Sequence, residues 1–208
     1  MCAKRDPQAT RTALLTAAAG EIYESGFQSA SMDDILRSAG VTKGALYHHF
    51  ANKRDLGYAV LDEVIAQGVY DAWVKPLREC VDPIDALHTI LSNAAEMGHL
   101  ELRRGCPLNN LAQEMAGVDE GFQERIAAVC SRWQAEIAGA LERGQAGGYV
   151  RPDLDPVSIS TFLVAAVQGS IGLAKSCQCP ETFERSKSEF CRYLESLRPV
   201  PANVSVAN

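Results

Sequence analysis

The stretch SMDDILRSAGVTKGALYHHF, residues 31 to 50, reads as two short helices joined by a tight turn. Ser31 stands where an N-cap belongs and Asp34 follows three places on, a spacing at which hydroxyl and carboxylate can satisfy free backbone N–H groups reciprocally. Ile35, Leu36 and Ala39 give the first helix an apolar stripe. Gly40, the residue best able to take a left-handed backbone, closes it after about two turns. Val41 then plugs the turn and Thr42 caps the next helix, where Leu46 and Phe50 lie four apart on one face. The opposite edge keeps Lys43, Gly44, Tyr47 and His48. A second helix that buries one edge and presents a small, polar, partly basic one is what a helix-turn-helix inserts into a DNA major groove. Gly44 and Ala45 allow the backbone close to base edges, Thr42 can face bases, and Lys43, Tyr47 and His48 reach phosphates.

From Ser31 to Leu56 the pattern G-V-T-K-G-A-L-Y-H-H-F-x-N-K-x-x-L resembles the DNA-binding domain of the TetR family of bacterial one-component regulators. The likeness covers roughly the first quarter of the chain, and its ungapped length makes it far more specific than a three-residue motif. It implies an all-α homodimer of about nine helices, with a three-helix head and a larger ligand-binding body. It also implies a repressor that releases a palindromic operator when a small-molecule effector binds. Phe27 resembles the family's core aromatic after Gly26. Lys53, on the first turn of a helix capped by Asn52, stands where the family's lysine meets a phosphate. The expected DNA-contacting set is Ser31, Thr42, Lys43, Gly44, Ala45, Tyr47, His48 and Lys53.

At 208 residues the chain is long enough for a substantial core, and 47% hydrophobic with 22% charged residues is ordinary for a soluble globular protein. The longest uninterrupted apolar run is FLVAAV, residues 162 to 167, so neither a membrane span nor a signal-peptide core is expected and the cytoplasm is the expected location. The net charge of −6 divides as +1 for residues 1 to 57 and −7 for the remainder. An acidic body repels DNA while a head carrying Lys4, Arg5, Arg11, Lys43, Lys53 and Arg54 docks, which favours one orientation of approach. Charge alone does not establish DNA binding. The seven cysteines are odd in number and unpatterned, as free thiols in a reducing compartment would be. No metal site and no cofactor are expected.

Helical periodicity continues on both sides of the motif. A first helix from about Gln8 to Glu24 turns Leu14, Leu15, Ala18 and Ile22 inward, and Gly26 ends it. The helix begun at Lys53 runs to about Val74 and is broken by Pro76. Another follows Asp82-Pro83 to about Leu102, then a short one over 107 to 115. A long helix from Asp119 to about Arg143 carries the seam Phe122, Ile126, Val129, Trp133, Ile137 and Ala140, with Gly144, Gly147 and Gly148 ending it. Asp155-Pro156 opens a penultimate helix apolar on most faces and so expected to be buried on all sides, and a last helix spans about Thr182 to Leu197. These two, paired with their copies, are the expected four-helix dimer interface. The resulting division is a DNA-binding domain over 1–52, an effector-binding and dimerisation domain over 53–198, and a disordered tail over 199–208.

An effector pocket is expected among the middle helices, with Tyr70, Trp73, Met97, Asn110, Gln113 and Trp133 as lining residues, although aromatic and Met stripes at helical spacing also serve simply as packing. Cys106 follows Arg103 and Arg104 and precedes Pro107, a helix start in positive surroundings that favours a thiolate. Its Gly105-Cys106 context resembles a family branch that senses electrophiles and oxidants, in which Lys175 stands at the place of the matching lysine. A repressor switched by modification of Cys106 is therefore the alternative, and simple packing of that thiol the plainer account. A cysteine-dependent enzyme is the remote alternative. No histidine base or oxyanion donor is placed beside Cys106 by sequence, so no catalytic residue is assigned.

Overall fold

The computed structural model describes residues 6–96 and 99–199. Every regular element among them is a helix: α1 Pro7–Ser25, α2 Met32–Ala39, α3 Lys43–His49, α4 over 53–79, α5 Pro83–Glu96, α6 His99–Arg104, α7 Pro107–Met115, α8 Glu120–Ala146, α9 Pro156–Cys177 and α10 Glu181–Ser196. The chain forms two compact units, residues 1–70 with 104–131 and residues 71–103 with 132–208. The boundary expected at Asn52 lies inside the first of these, and α4 and α8 each contribute residues to both.

In the first unit the expected caps are in place. Asp6 accepts from the Gln8 N–H at 2.9 Å ahead of α1, whose buried stripe is Leu14, Leu15, Ala18 and Ile22. Gly26, at φ 82°, ends it. The Ser31 hydroxyl accepts from the Asp34 N–H at 3.2 Å. The reciprocal half of that cap comes from elsewhere, because the Ser31 N–H is met by Glu21 of α1 at 3.4 Å while the Asp34 carboxylate pairs with Arg37. Aspartate is one methylene short of the reach that glutamate or glutamine has at this place. Gly40 is left-handed at φ 63°, and the Val41 N–H returns to the Leu36 carbonyl at 3.2 Å to complete the turn.

Phe27 is 8% exposed and meets Phe122 edge-on with ring centroids 4.7 Å apart, and Tyr58 meets the same ring at 4.8 Å. This aromatic knot exists because residue 57 has no side chain. A Cβ there would sit 2.4 Å from Phe27 Cε2 and 2.8 Å from Phe122 Cζ. Tyr58 donates its hydroxyl to Asp119 at 2.5 Å, Asp119 also accepts from the Phe122 N–H at 3.0 Å, and Arg54 stands 3.2 Å from its other oxygen. The Tyr58 hydroxyl, helped by that N–H and by Arg54, holds the Asp119 carboxyl below the usual range. Arg125 lies over the Tyr58 ring at 4.2 Å and pairs with Asp62 at 3.0 Å.

Helix α4 passes through Pro76 rather than ending there. Two π-helical turns, Val60–Ile65 and Tyr70–Val74, interrupt its α-helical hydrogen bonding. The second leaves Pro76 in the first turn of the following α-helical segment, where a missing N–H costs little.

In the second unit Gly144 lies within α8 instead of ending it. A Cβ at Gly144 would stand 2.5 Å from Pro83 and 2.8 Å from Val150, so the glycine serves close packing. Trp133, Ile137 and Ala140 are buried as the seam requires. Asp82 caps α5 through the Ile84 N–H at 2.8 Å and binds Arg198 at 2.7 Å. Burial alone would push its carboxyl up, but Arg198 and the two N–H groups it accepts outweigh that and hold it low. Asp155 caps α9, which buries Ile159, Leu163, Val164, Val167 and Ala174. In the single chain Val157, Phe162 and Leu173 are 61%, 49% and 53% exposed. By length and mean hydropathy, 1.7 over its best window, α9 also fits a bilayer span. Its Asp155 cap and its buried side, with Ala174 clustered against Leu102 and Phe183 of α10, are those of a bundle helix. The tail called disordered lies, beyond Pro199, outside the described residues.

Gly57→Ala should therefore cost about 1–3 kcal/mol of unfolding free energy through overpacking. Gly68→Ala, at an exposed helical site with nothing within 4 Å, should gain about 0.5–1 kcal/mol. Urea denaturation of the two variants reads the difference in sign.

Candidate functional site

Helix α3 is short, and its orientation comes from the side it buries. Leu46 is 0% and Phe50 4% exposed, while the Thr42 hydroxyl caps the helix by accepting from the Ala45 N–H at 3.3 Å. Thr42, Lys43, Gly44, Tyr47 and His48 are all exposed, and Ala45 is half-buried beside them. Lys43 extends over the Tyr47 ring at 5.9 Å, one turn on, so the charge and the ring are presented together. A Cβ at Gly44 would meet nothing within 4 Å. Its smallness answers no packing need among the described residues. Ser31 is half-buried and occupied as the cap of α2.

The cations of the head divide into two groups. Arg11 is bound to Glu63 and lies 5.3 Å over the Phe50 ring, and Arg54 is bound to Asp119. Their charges are compensated within the unit, so they add less to an anion-seeking surface than the sequence suggests. Lys53 donates to the Gln28 carbonyl at 3.0 Å and lies over Phe27 at 5.2 Å. It is thus positioned at the start of α4 while holding the turn between α1 and α2. Lys4 and Arg5 fall outside the described residues.

That turn is held from its other side by a residue the sequence did not single out. The Glu114 carboxylate, on α7, accepts from the Phe27 N–H at 2.8 Å and the Gln28 N–H at 2.7 Å. Glu114 Oε2 would lie 3.1 Å from a Cβ on Gly26, so the carboxylate is seated directly against the end of α1. Around the start of α7, Tyr23 donates to the Gly105 carbonyl at 2.7 Å and Arg104 binds Glu24. The end of α1 is thus tied at several points to α7 and the residues before it. A partner 86 residues away in sequence leaves no local signature that could have revealed it.

Cys106 is the N-cap residue of α7, half-buried, with no cap bond from its side chain. Arg104, counted among its positive surroundings, is committed to Glu24 and lies 5.8 Å over the Tyr23 ring. Burial pushes the Cys130 thiol up, and a charge on nearby Cys106 adds to the rise. Lys175 is in the last turn of α9, in the second unit. Of the expected pocket residues, Trp73 and Trp133 are brought together in the second unit, ring centroids 4.8 Å apart. Tyr70 is half-buried in the first unit, Asn110 donates to the Arg104 carbonyl at 2.9 Å, Gln113 is exposed, and Met97 lies outside the described residues.

Known proteins share both halves of this arrangement. The family profile described as "Bacterial regulatory proteins, tetR family" matches residues 14–60, and that described as "Tetracyclin repressor-like, C-terminal domain" matches residues 83–190. Transcriptional regulator AcuR of Cereibacter sphaeroides is 29% identical over 196 residues, spanning 91% of this chain and 87% of AcuR. HTH-type transcriptional repressor DhaR of Mycobacterium sp. (strain GP1) is 26% identical over 193 residues, spanning 88% of this chain and 89% of DhaR. The crystal structure of regulatory protein TetR from Rhodobacter sphaeroides superposes with a TM-score of 0.77 at 27% identity, covering 88% of this chain and 97% of that one.

Two substitutions separate folding from contact at this surface. Gly44→Gln should raise stability by about 0.5–1 kcal/mol, since a helix former replaces glycine in open space, while weakening binding to a selected DNA duplex. Glu114→Gln should lower stability by about 1–3 kcal/mol, because an amide N–H then faces backbone donors. Calorimetry and gel shifts on both variants check the pair, and a Gly44 variant that keeps full DNA affinity would contradict the assignment of the edge.

Proposed function

The chain belongs to the TetR family of bacterial regulatory proteins, and from that premise we propose that it is a homodimeric repressor, acting in the cytoplasm, that holds a two-fold operator and releases it when a small molecule occupies its second unit. The observation that carries the DNA reading is the outward edge of α3, where exposed Thr42, Lys43, Gly44, Tyr47 and His48 are backed by buried Leu46 and Phe50. Gly44 and Ala45 let the helix enter the groove, Thr42 and Ala45 face bases, and Lys43, Tyr47, His48 and Lys53 meet phosphates. The N–H groups at the start of α4 add to the pull on one phosphate. Ser31, as the cap of α2, contributes from the supporting helix. On binding, Lys53 exchanges the Gln28 carbonyl for a phosphate oxygen, a charge-assisted bond in place of a neutral acceptor.

The exposed apolar edge of α9 supports a dimer. Phe162, Ala165, Gly169 and Leu173 recur at three- and four-residue spacing and are all exposed in the single chain. Phe162 packs edge-on against Tyr193 of α10 at 4.9 Å, so the last two helices form one continuous surface. A second copy covers it isologously and closes a four-helix interface. Two-fold symmetry then presents two copies of α3 to half-sites about 34 Å apart, or a multiple of that. Release follows if the small molecule binds the DNA-incompetent state more tightly, since equal affinity for both states shifts nothing.

Phe162→Glu places a charge in the proposed interface and should yield a monomer by sedimentation. Its affinity for a palindromic duplex should fall roughly 10- to 100-fold while helix content is kept. A Phe162→Glu protein that remains dimeric, or a monomer with undiminished operator affinity, contradicts this assembly.

A further inference from the structure

Trp73 and Trp133 are the only tryptophans in the chain. They stand together in the second unit with planes inclined at 57°, and are 9% and 2% exposed. The Nε1–H of Trp133 is buried and meets no acceptor among the described residues. An indole N–H can only donate, and buried tryptophans ordinarily find a partner for it, because a donor taken out of water unpaired forfeits its hydration. One turn from each ring the same two helices bury Leu77 and Ile137, both 0% exposed. Arg78 is bound to the Glu136 carboxylate, and Arg143 donates to the Leu77 carbonyl at 2.9 Å. The rings and their neighbours therefore offer closely packed apolar side chains and one directed donor. A water molecule is poorly suited to relieve the donor, since a buried water needs about two to four polar partners.

Resting on the regulator reading above, we infer that the Trp133 Nε1–H is the recognition donor for the effector, which is an uncharged oxygen acceptor on a compact apolar frame: a ketone, ester or amide. An anionic effector would bring its charge against aromatic and aliphatic side chains, at a desolvation cost one neutral N–H does not return. A hydrocarbon of the same shape leaves the indole as unsatisfied as before. A site built around a hydrogen bond separates ligands by the presence of the bonding group far more strongly than by a methylene.

The full chain, isotope-labelled at its indole nitrogens, gives one N–H resonance per tryptophan, assigned with Trp73→Phe and Trp133→Phe. It is titrated with cyclohexanone and with methylenecyclohexane, a frame of matched shape that lacks the acceptor. The ketone should move the Trp133 resonance downfield and saturably, more than that of Trp73, and the hydrocarbon should not. Trp133→Phe should weaken ketone binding about tenfold or more, with helix content and a single Trp73 resonance retained. Equal responses to the two probes, no saturable Trp133 shift at millimolar ketone, or unchanged ketone affinity in Trp133→Phe overturns the inference. If that variant fails to fold, the contrast between the two probes at the wild-type resonance decides alone. Operator binding by the unliganded wild-type dimer is measured in parallel. Its absence sinks the regulator reading, whereas its presence with a silent Trp133 sinks only the donor assignment.

Discussion

The missing side chain at Gly57 is the constraint on which the first unit depends. With a Cβ only 2.4 Å from Phe27 and 2.8 Å from Phe122, no other residue admits both rings. Those rings come from the end of α1, where the head turns into α2, and from the start of α8. Tyr58 adds a third ring and Asp119 gathers Tyr58, Arg54 and the Phe122 N–H around one carboxylate. Aromatic contacts of this kind contribute beyond their buried area, and they also fix direction. The end of α1 is thereby positioned, and Lys53 and Glu114 hold the turn that follows from opposite sides. The angle at which α2 and α3 are displayed is inherited from this set of contacts.

A DNA-reading surface has to be rigid behind and uncommitted in front. Behind α3, Leu46 and Phe50 are buried and Arg11 is spent on Glu63 and the Phe50 ring. In front, the chain leaves Lys43 over Tyr47, an unobstructed Gly44 and the capping Thr42. Compensating Arg11 and Arg54 internally lowers the non-specific part of the attraction, which scales with the number of phosphates neutralised. What remains is concentrated on the exposed edge of α3, the edge proposed above to read the bases.

The second unit leaves other groups unsatisfied. Helix α9 exposes Phe162 and Leu173 in the single chain, and the buried indole of Trp133 lacks an acceptor among the described residues. Each carries a free-energy cost in the isolated chain, one as apolar surface left in water and the other as an unmade hydrogen bond. On the readings proposed above, each is relieved by association, with a second copy in one case and with a small molecule in the other. Binding that relieves such a cost is the form in which a partner can shift a conformational equilibrium.

The sequence by itself determined the helices, their caps and the exposed edge of α3. Asp6, Ser31, Thr42, Asn52 and Asp155 cap as their residue types dictate, and Gly26 and Gly40 stop helices where a positive φ is needed. These features are legible because they depend on neighbours within four residues. Local rules failed where a distant partner replaced a local one. Glu21 supplied the cap bond assigned to Asp34, a π-helical turn carried α4 through Pro76, and Gly144 made room for Pro83 instead of ending α8. Only the tertiary structure decided that Glu114 clamps the turn after α1, that Arg11 and Arg54 are compensated, and that Trp133 stands beside Trp73 with its N–H unmet. A hydrogen bond or a ring contact depends on distance in space, and residues dozens of places apart carry no periodicity that records it.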